Sequence, residues 1–202
     1  MLKRASITIL LLGLSVFLGI WVGSNYLSDS HTEDHTAAKV NTSSLEEEMY
    51  FVDLIVRGTV VEQQDPVVRN AGLPEKVNFS YDVTPSIIKV NEVIYGELEE
   101  KTITFLQHGT EKTNEETRYL KTEEEVILLL MKAVDNYYWS YNYEEGIWRV
   151  NDGLIESKNN NISGFLATDT AISKFRNSGN QDVESFVKEI KKAALNKKRP
   201  EF

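Results

Sequence analysis

The residues best suited to chemistry form an aromatic run, in which Tyr137, Trp139, Tyr141 and Tyr143 alternate with Tyr138, Ser140 and Asn142. Alternate side chains of an extended strand share a face, so the four rings would form a ladder, with Trp148 across the next turn as an extension. Such rings offer large contact area, little side-chain entropy loss and, in Tyr and Trp, a polar tip. They suit a face that meets a sugar or a peptide. The same ladder could instead be core beneath a C-terminal helix, and exposure of Tyr137 to Tyr143 decides between the two.

Other candidates are weaker. His31 and His35 stand four apart, with Glu33 and Asp34 between them, and on a helix would face one metal. They lie in a polar stretch where no helix is expected, which makes them part of a solvated tail. His108, in Gln107-His108-Gly109-Thr110, could act as a general base with a nearby acid. No Gly-x-Ser-x-Gly elbow or other nucleophile motif accompanies it, so a structural histidine is the plainer reading. Glu111, Glu115, Glu116, Glu123, Glu124 and Glu125 lack the Asp-x-Asp-x-Asp-Gly spacing of an oxygen cage and read as a solvated run that guards a sheet edge. Cysteine is absent, which removes disulfides, thiolate metal sites and thiol catalysis. The expectation is therefore no catalytic set, no metal site and no cofactor.

These residues need a scaffold, and 202 residues suffice for one domain with extensions. Lys3 and Arg4 precede a run from Ala5 to Gly23 that is nearly all apolar. Roughly nineteen helical residues span about 28 Å, close to a bilayer's hydrocarbon thickness. The next cation is Lys39, so the bias of basic residues toward the cytoplasm puts the N-terminus inside and the rest of the chain outside. Retention of residues 1–24 as an anchor is favoured by the length of the run and by Trp21 and Tyr26 at interfacial positions. Cleavage near Ser24, giving a secreted protein, is the alternative. Without Lys3 and Arg4, 20 basic residues face 31 acidic ones. That balance disfavours nucleic acid, whose binding relies on cations that neutralise phosphates.

Residues 25–43 are polar and read as a flexible stalk. A domain over 44–199 follows. Ser44-Leu45-Glu46-Glu47 fits a capping box opening a short helix. Strands are expected over 52–61, with Gly58 as a bulge, over 78–95, with Pro85 as an edge position or break, over 102–106 and over 126–131. The last is continuously apolar, as a strand buried on both faces should be. Asn151-Asp152-Gly153 between two apolar runs predicts a hairpin. Val183, Phe186, Val187, Ile190 and Ala194 fall on one face of a C-terminal helix that packs on the sheet.

The order helix, Val52 to Val60, Ile88 to Gly96, Thr102 to Phe105 and Glu124 to Leu130 resembles uncharacterised secreted bacterial exodomains. These look like distant relatives of the netrin and tissue-inhibitor-of-metalloproteinase family. The resemblance covers about residues 44 to 157 and implies a mainly β fold: an OB-like antiparallel barrel with flanking helices and a C-terminal amphipathic helix. In the tissue inhibitors an N-terminal Cys chelates zinc, and this chain has no Cys, so that role is not carried over. Together these readings predict a noncatalytic extracytoplasmic domain, tethered through residues 5–23 and engaging a protein or cell-envelope component. An envelope hydrolase using His108 and a structural accessory of a membrane partner remain as alternatives.

Overall fold

The computed structural model describes residues 44–70, 80–113, 117–133, 135–156, 170–176 and 181–200. The expected membrane segment and stalk lie outside these residues, and no helix among the described ones is long and apolar enough to cross a membrane. The Ser44 side chain accepts the Glu47 N–H at 3.3 Å and opens α1 (Leu45–Glu48), which tightens into a 3-10 turn over Met49–Phe51. Strands β1 (Leu54–Gln63), β2 (Val67–Asn70), β3 (Ser80–Tyr95), β4 (Thr102–His108), β5 (Glu125–Lys132), β6 (Tyr138–Ser140), β7 (Ile147–Asn151) and β8 (Leu154–Ile155) follow. Among the described residues two further helices follow, α2 (Ala171–Arg176) and α3 (Val183–Leu195).

Five strands close a barrel in the order β1-β3-β4-β6-β5, with β5 returning to β1. Each neighbouring pair is antiparallel except β4 with β6. The closed, mainly β architecture is consistent with the expected OB-like barrel. Closure bends β1, whose register against β3 shifts at three places, one of them between Arg57 and Gly58. Gly58 is needed there because a Cβ would sit 2.6 Å from the Lys89 carbonyl oxygen and 2.7 Å from Ile88 Cγ2. Gly58→Ala should cost about 1–3 kcal/mol, read as a lower urea midpoint with unchanged slope.

The apolar run of β5 is explained by two cores that it separates. Val126, Leu128 and Leu130 point into the barrel with Val56, Ile88, Phe105 and Tyr138. Ile127 and Leu129 point outward, beneath a helical layer with Ile55, Trp148, Ile172, Phe186 and Ile190. Asp182 caps α3 by accepting the Ser185 N–H at 2.9 Å, and its buried side is Val183, Phe186, Ile190, Ala193 and Ala194. Asp152 and Gly153, both with positive φ, form the two-residue turn that joins β7 to β8.

Of the two expectations for Pro85, an edge position or a break, the break is corrected, since β3 runs through it and pairs it with Leu106. Its carbonyl accepts the Gln64 N–H at 2.9 Å, and a residue's N and C=O point the same way in a strand. The missing N–H therefore faces the gap between the end of β1, at Gln63 opposite Ser86, and the start of β2, at Val67 opposite Val83. After Pro66 the chain adds β2, for which the sequence offered no strand pattern.

Candidate functional site

The helical layer covers one side of the barrel. Its cluster draws on β1, β5 and β7 and on the end of β3 at Ile94 and Tyr95, and includes no residue of β4 or β6. Register places Tyr81, Val83 and Pro85 of β3, Leu106 and His108 of β4 and Trp139 of β6 together on the other outer face, while Phe105 and Tyr138 point into the barrel.

Four rings meet on that face. The His108 imidazole stacks on Trp139 with centroids 4.3 Å apart and planes 20° apart. Tyr143 lies 5.4 Å from His108 at 47°, and Tyr81 lies 5.6 Å away at 38°. Tyr81 also meets Trp139 at 6.3 Å. Tyr143 is 56% exposed and His108 is exposed, so the cluster presents ring surface to solvent.

Desolvation among these rings holds His108 below the ordinary imidazole pKa, which keeps it neutral at pH 7. The unfolded chain then binds the proton more readily, so stability is fully present above the unfolded value of about 6.5 and is lost as pH falls toward the lowered folded value. Thermal unfolding compared with His108→Asn should show the wild type losing stability relative to the variant as pH falls below about 6.5.

Beside the face, Arg69 of β2, which lies between the first and second barrel strands, reaches the connection between the fourth and fifth. Its guanidinium pairs with Asp135 in the β5–β6 connection and lies 4.9 Å above the Tyr137 ring.

The predicted aromatic ladder is divided between two environments. β6 covers Tyr138–Ser140, and Asn142 and Tyr143 then take positive φ, so the strand does not extend over 137–143 as the alternation suggested. Trp139 faces the open cluster. Tyr141 stacks on Phe51 at 6.4 Å and packs against the helix-covered core. Tyr143 turns back to His108, and Tyr137 lies beneath Arg69. Trp148 is 3% exposed, 4.5 Å from Phe186 and 6.0 Å from Phe175, so it is core and does not extend an exposed face.

Buried acids, which periodicity did not reveal, fasten the helical layer. Glu48 accepts the Ile172 N–H at 3.0 Å, and the pKa of the nearby Tyr141 phenol is raised by burial and then by the charges of Glu48 and Glu145. Glu145 accepts from Asn142 at 2.9 Å, from Thr170 at 2.8 Å and from Ser173. On another side, Arg149 is buried beside Glu124 and donates to the Arg118 carbonyl. Burial and the Arg118 charge lower its pKa. Glu124 and Glu125, at the start of β5, are thus ion-paired, with Arg118 or Arg149 and with Arg57 respectively. Among the described residues no three metal-ligating side chains converge, and His31 and His35 lie outside them.

No protein-family model matches the chain, and no curated protein matches it.

Proposed function

We propose that this protein is a noncatalytic binding domain, held at a membrane by residues 5–23, that engages a cell-envelope component through the outer face of β3, β4 and β6. The observation that carries the reading is the cluster of Tyr81, His108, Trp139 and Tyr143 on the side of the barrel away from the helical core, beside the pair of Arg69 with Asp135. Exposed rings with polar edges supply contact area at little entropic cost, and a closed barrel holds them in fixed relation. The OB-like barrel is also what the netrin-like resemblance implies, without its zinc-chelating cysteine.

The test is co-sedimentation of the full chain with envelope fragments, comparing wild type with His108→Ala/Tyr143→Ala. Both side chains are exposed, so the variant should fold, and capture should fall at least tenfold. Equal capture by a folded variant would remove this face from the account. The alternative hydrolase requires a carboxylate to orient His108, whereas the imidazole's ring contacts are with Trp139, Tyr81 and Tyr143.

A further inference from the structure

We propose that the exposed side and C-terminal end of α3 form a cationic surface that docks on an anionic lipid bilayer, the membrane that holds the chain. The inference rests on the reading of residues 5–23 as a membrane anchor and adds a second, reversible contact that orients the domain.

Charge sets this surface apart. Residues 188–199 carry six of the chain's 22 basic residues, Lys188, Lys191, Lys192, Lys197, Lys198 and Arg199, and one of its 31 acids, Glu189. All six cations are exposed, and among the described residues none of them is ion-paired. α3 buries Val183, Phe186, Ile190, Ala193 and Ala194. Lys188, Lys191, Lys192 and Leu195 fall at i, i+3, i+4 and i+7 on its exposed side, so they form one stripe. The helix dipole accounts for a cation in the last turn, such as Lys192, because its effect fades within that turn. It gives no reason for Lys188 and Lys191 higher in the helix, or for Lys197 to Arg199 beyond it.

The chemistry matches a bilayer interface. Lysine and arginine near an anionic lipid surface gain an attraction that falls off within a Debye length, about 8–10 Å in physiological salt. Over that distance the local surplus of positive charge prevails, and the net charge of −9 on the whole chain is screened. Leu195, 67% exposed among the cations, supplies an apolar side chain to sink between headgroups while the lysines reach them from long stems.

Position selects the bilayer over a soluble polyanion. The Lys198 N–H donates to the Glu46 carbonyl at 2.9 Å, which fixes the basic end beside α1, where the chain arrives from the anchor. Residues 24–43 span at most about 70 Å when fully extended. An anchored domain therefore has the bilayer at high effective concentration, whereas a soluble polyanion must be recruited from solution. The aromatic face lies on the side of the barrel away from the helical layer, so docking through α3 turns Tyr143 and His108 away from the lipid, toward the envelope component they engage. The contact needs anionic lipid, and lipid-free envelope fragments leave α3 untouched.

The chain's lack of cysteine allows a single labelled position. A fluorophore on Asn196→Cys of the full chain, reconstituted in vesicles that contain a nitroxide-headgroup lipid, reports the contact through quenching. Lys112→Cys, exposed four residues past His108, is the reference position. The vesicles are phosphatidylcholine alone or phosphatidylcholine mixed with phosphatidylglycerol. Quenching of the label at 196 should be about threefold stronger or more with phosphatidylglycerol present. It should return to the neutral-vesicle level in Lys188→Gln/Lys191→Gln/Lys192→Gln, and in about 0.5 M salt, where the Debye length is about 4 Å. The label at 112 should not respond. Equal quenching in the two vesicle types, or quenching indifferent to the triple variant, overturns the inference. So does a response to soluble inorganic polyphosphate with none to phosphatidylglycerol, which makes the ligand a soluble polyanion. Flotation with neutral vesicles reports the anchor separately. A chain that floats with them but shows no lipid-dependent quenching keeps the anchor and loses the docking face. One that floats only with anionic vesicles keeps the face and loses the anchor, and one that floats with neither loses both.

Discussion

Phe186→Ala lowers the free energy of unfolding by about 3–5 kcal/mol, the cost of removing a large buried ring and leaving a cavity. Phe186 is fully buried, 4.5 Å from Trp148 and 5.5 Å from Phe175, at the centre of the contact between α3 and the barrel. A helix of 13 residues is marginal in isolation, so this packing is what keeps α3 formed. Against a typical total of about 5–15 kcal/mol, the loss is a large fraction of the stability. Guanidinium unfolding measures it. The variant that remains folded should still bind at the aromatic face, because the helical layer occupies the other side of the barrel.

Glu48→Ala is expected to cost about 1.5–3 kcal/mol, because a hydrogen bond to a charged group is worth about that much and a buried donor loses its acceptor. The donor is the Ile172 N–H, in the first turn of α2, and the half-buried Tyr141 phenol loses a neighbouring charge. The helical layer should loosen before the barrel, visible as faster amide exchange over residues 170–176 while β5 stays protected. Release of Tyr141 from burial and from the neighbouring charge should also bring its phenol down toward the ordinary tyrosine range. Ultraviolet titration of folded protein reads that shift. If exchange in α2 and the tyrosine titration both match wild type, Glu48 does not fasten the layer.

Local patterns in the chain carried much of the fold. Val126 to Leu130 could be read as buried on both faces because it alternates between two cores, and Asp152-Gly153 fits a turn needing two positive φ values. The period of α3 named Val183, Phe186, Ile190 and Ala194, which it buries, and Val187, which is half-buried, but not the buried Ala193. β2 was missed because its four residues are mostly exposed and show no alternation, their place being set by pairing with β3. The six residues of α2 are too few for a helical period to register, and although Thr170 caps it locally by accepting the Ser173 N–H, the acceptor of the Ile172 N–H is Glu48, distant in the chain.

The site was less legible, for a physical reason. Tyr137, Trp139, Tyr141 and Tyr143 could be named, but which face each ring occupies depends on positive φ at Asn142 and Tyr143, which neither residue type announces. His108 and Tyr81 join Trp139 through the register of Val83 with His108 and of Leu106 with Trp139, pairings that no local window contains. The bond from Arg69 to Asp135 crosses 66 positions of sequence.

Amide hydrogen exchange of the full chain, with and without isolated envelope fragments, tests the central claim most directly. The account predicts slowed exchange over residues 80–84, 104–110 and 138–144, with α3 unchanged. Protection confined to α3 and the helical layer, or no change on β3, β4 and β6 under conditions where the chain is captured, would contradict it.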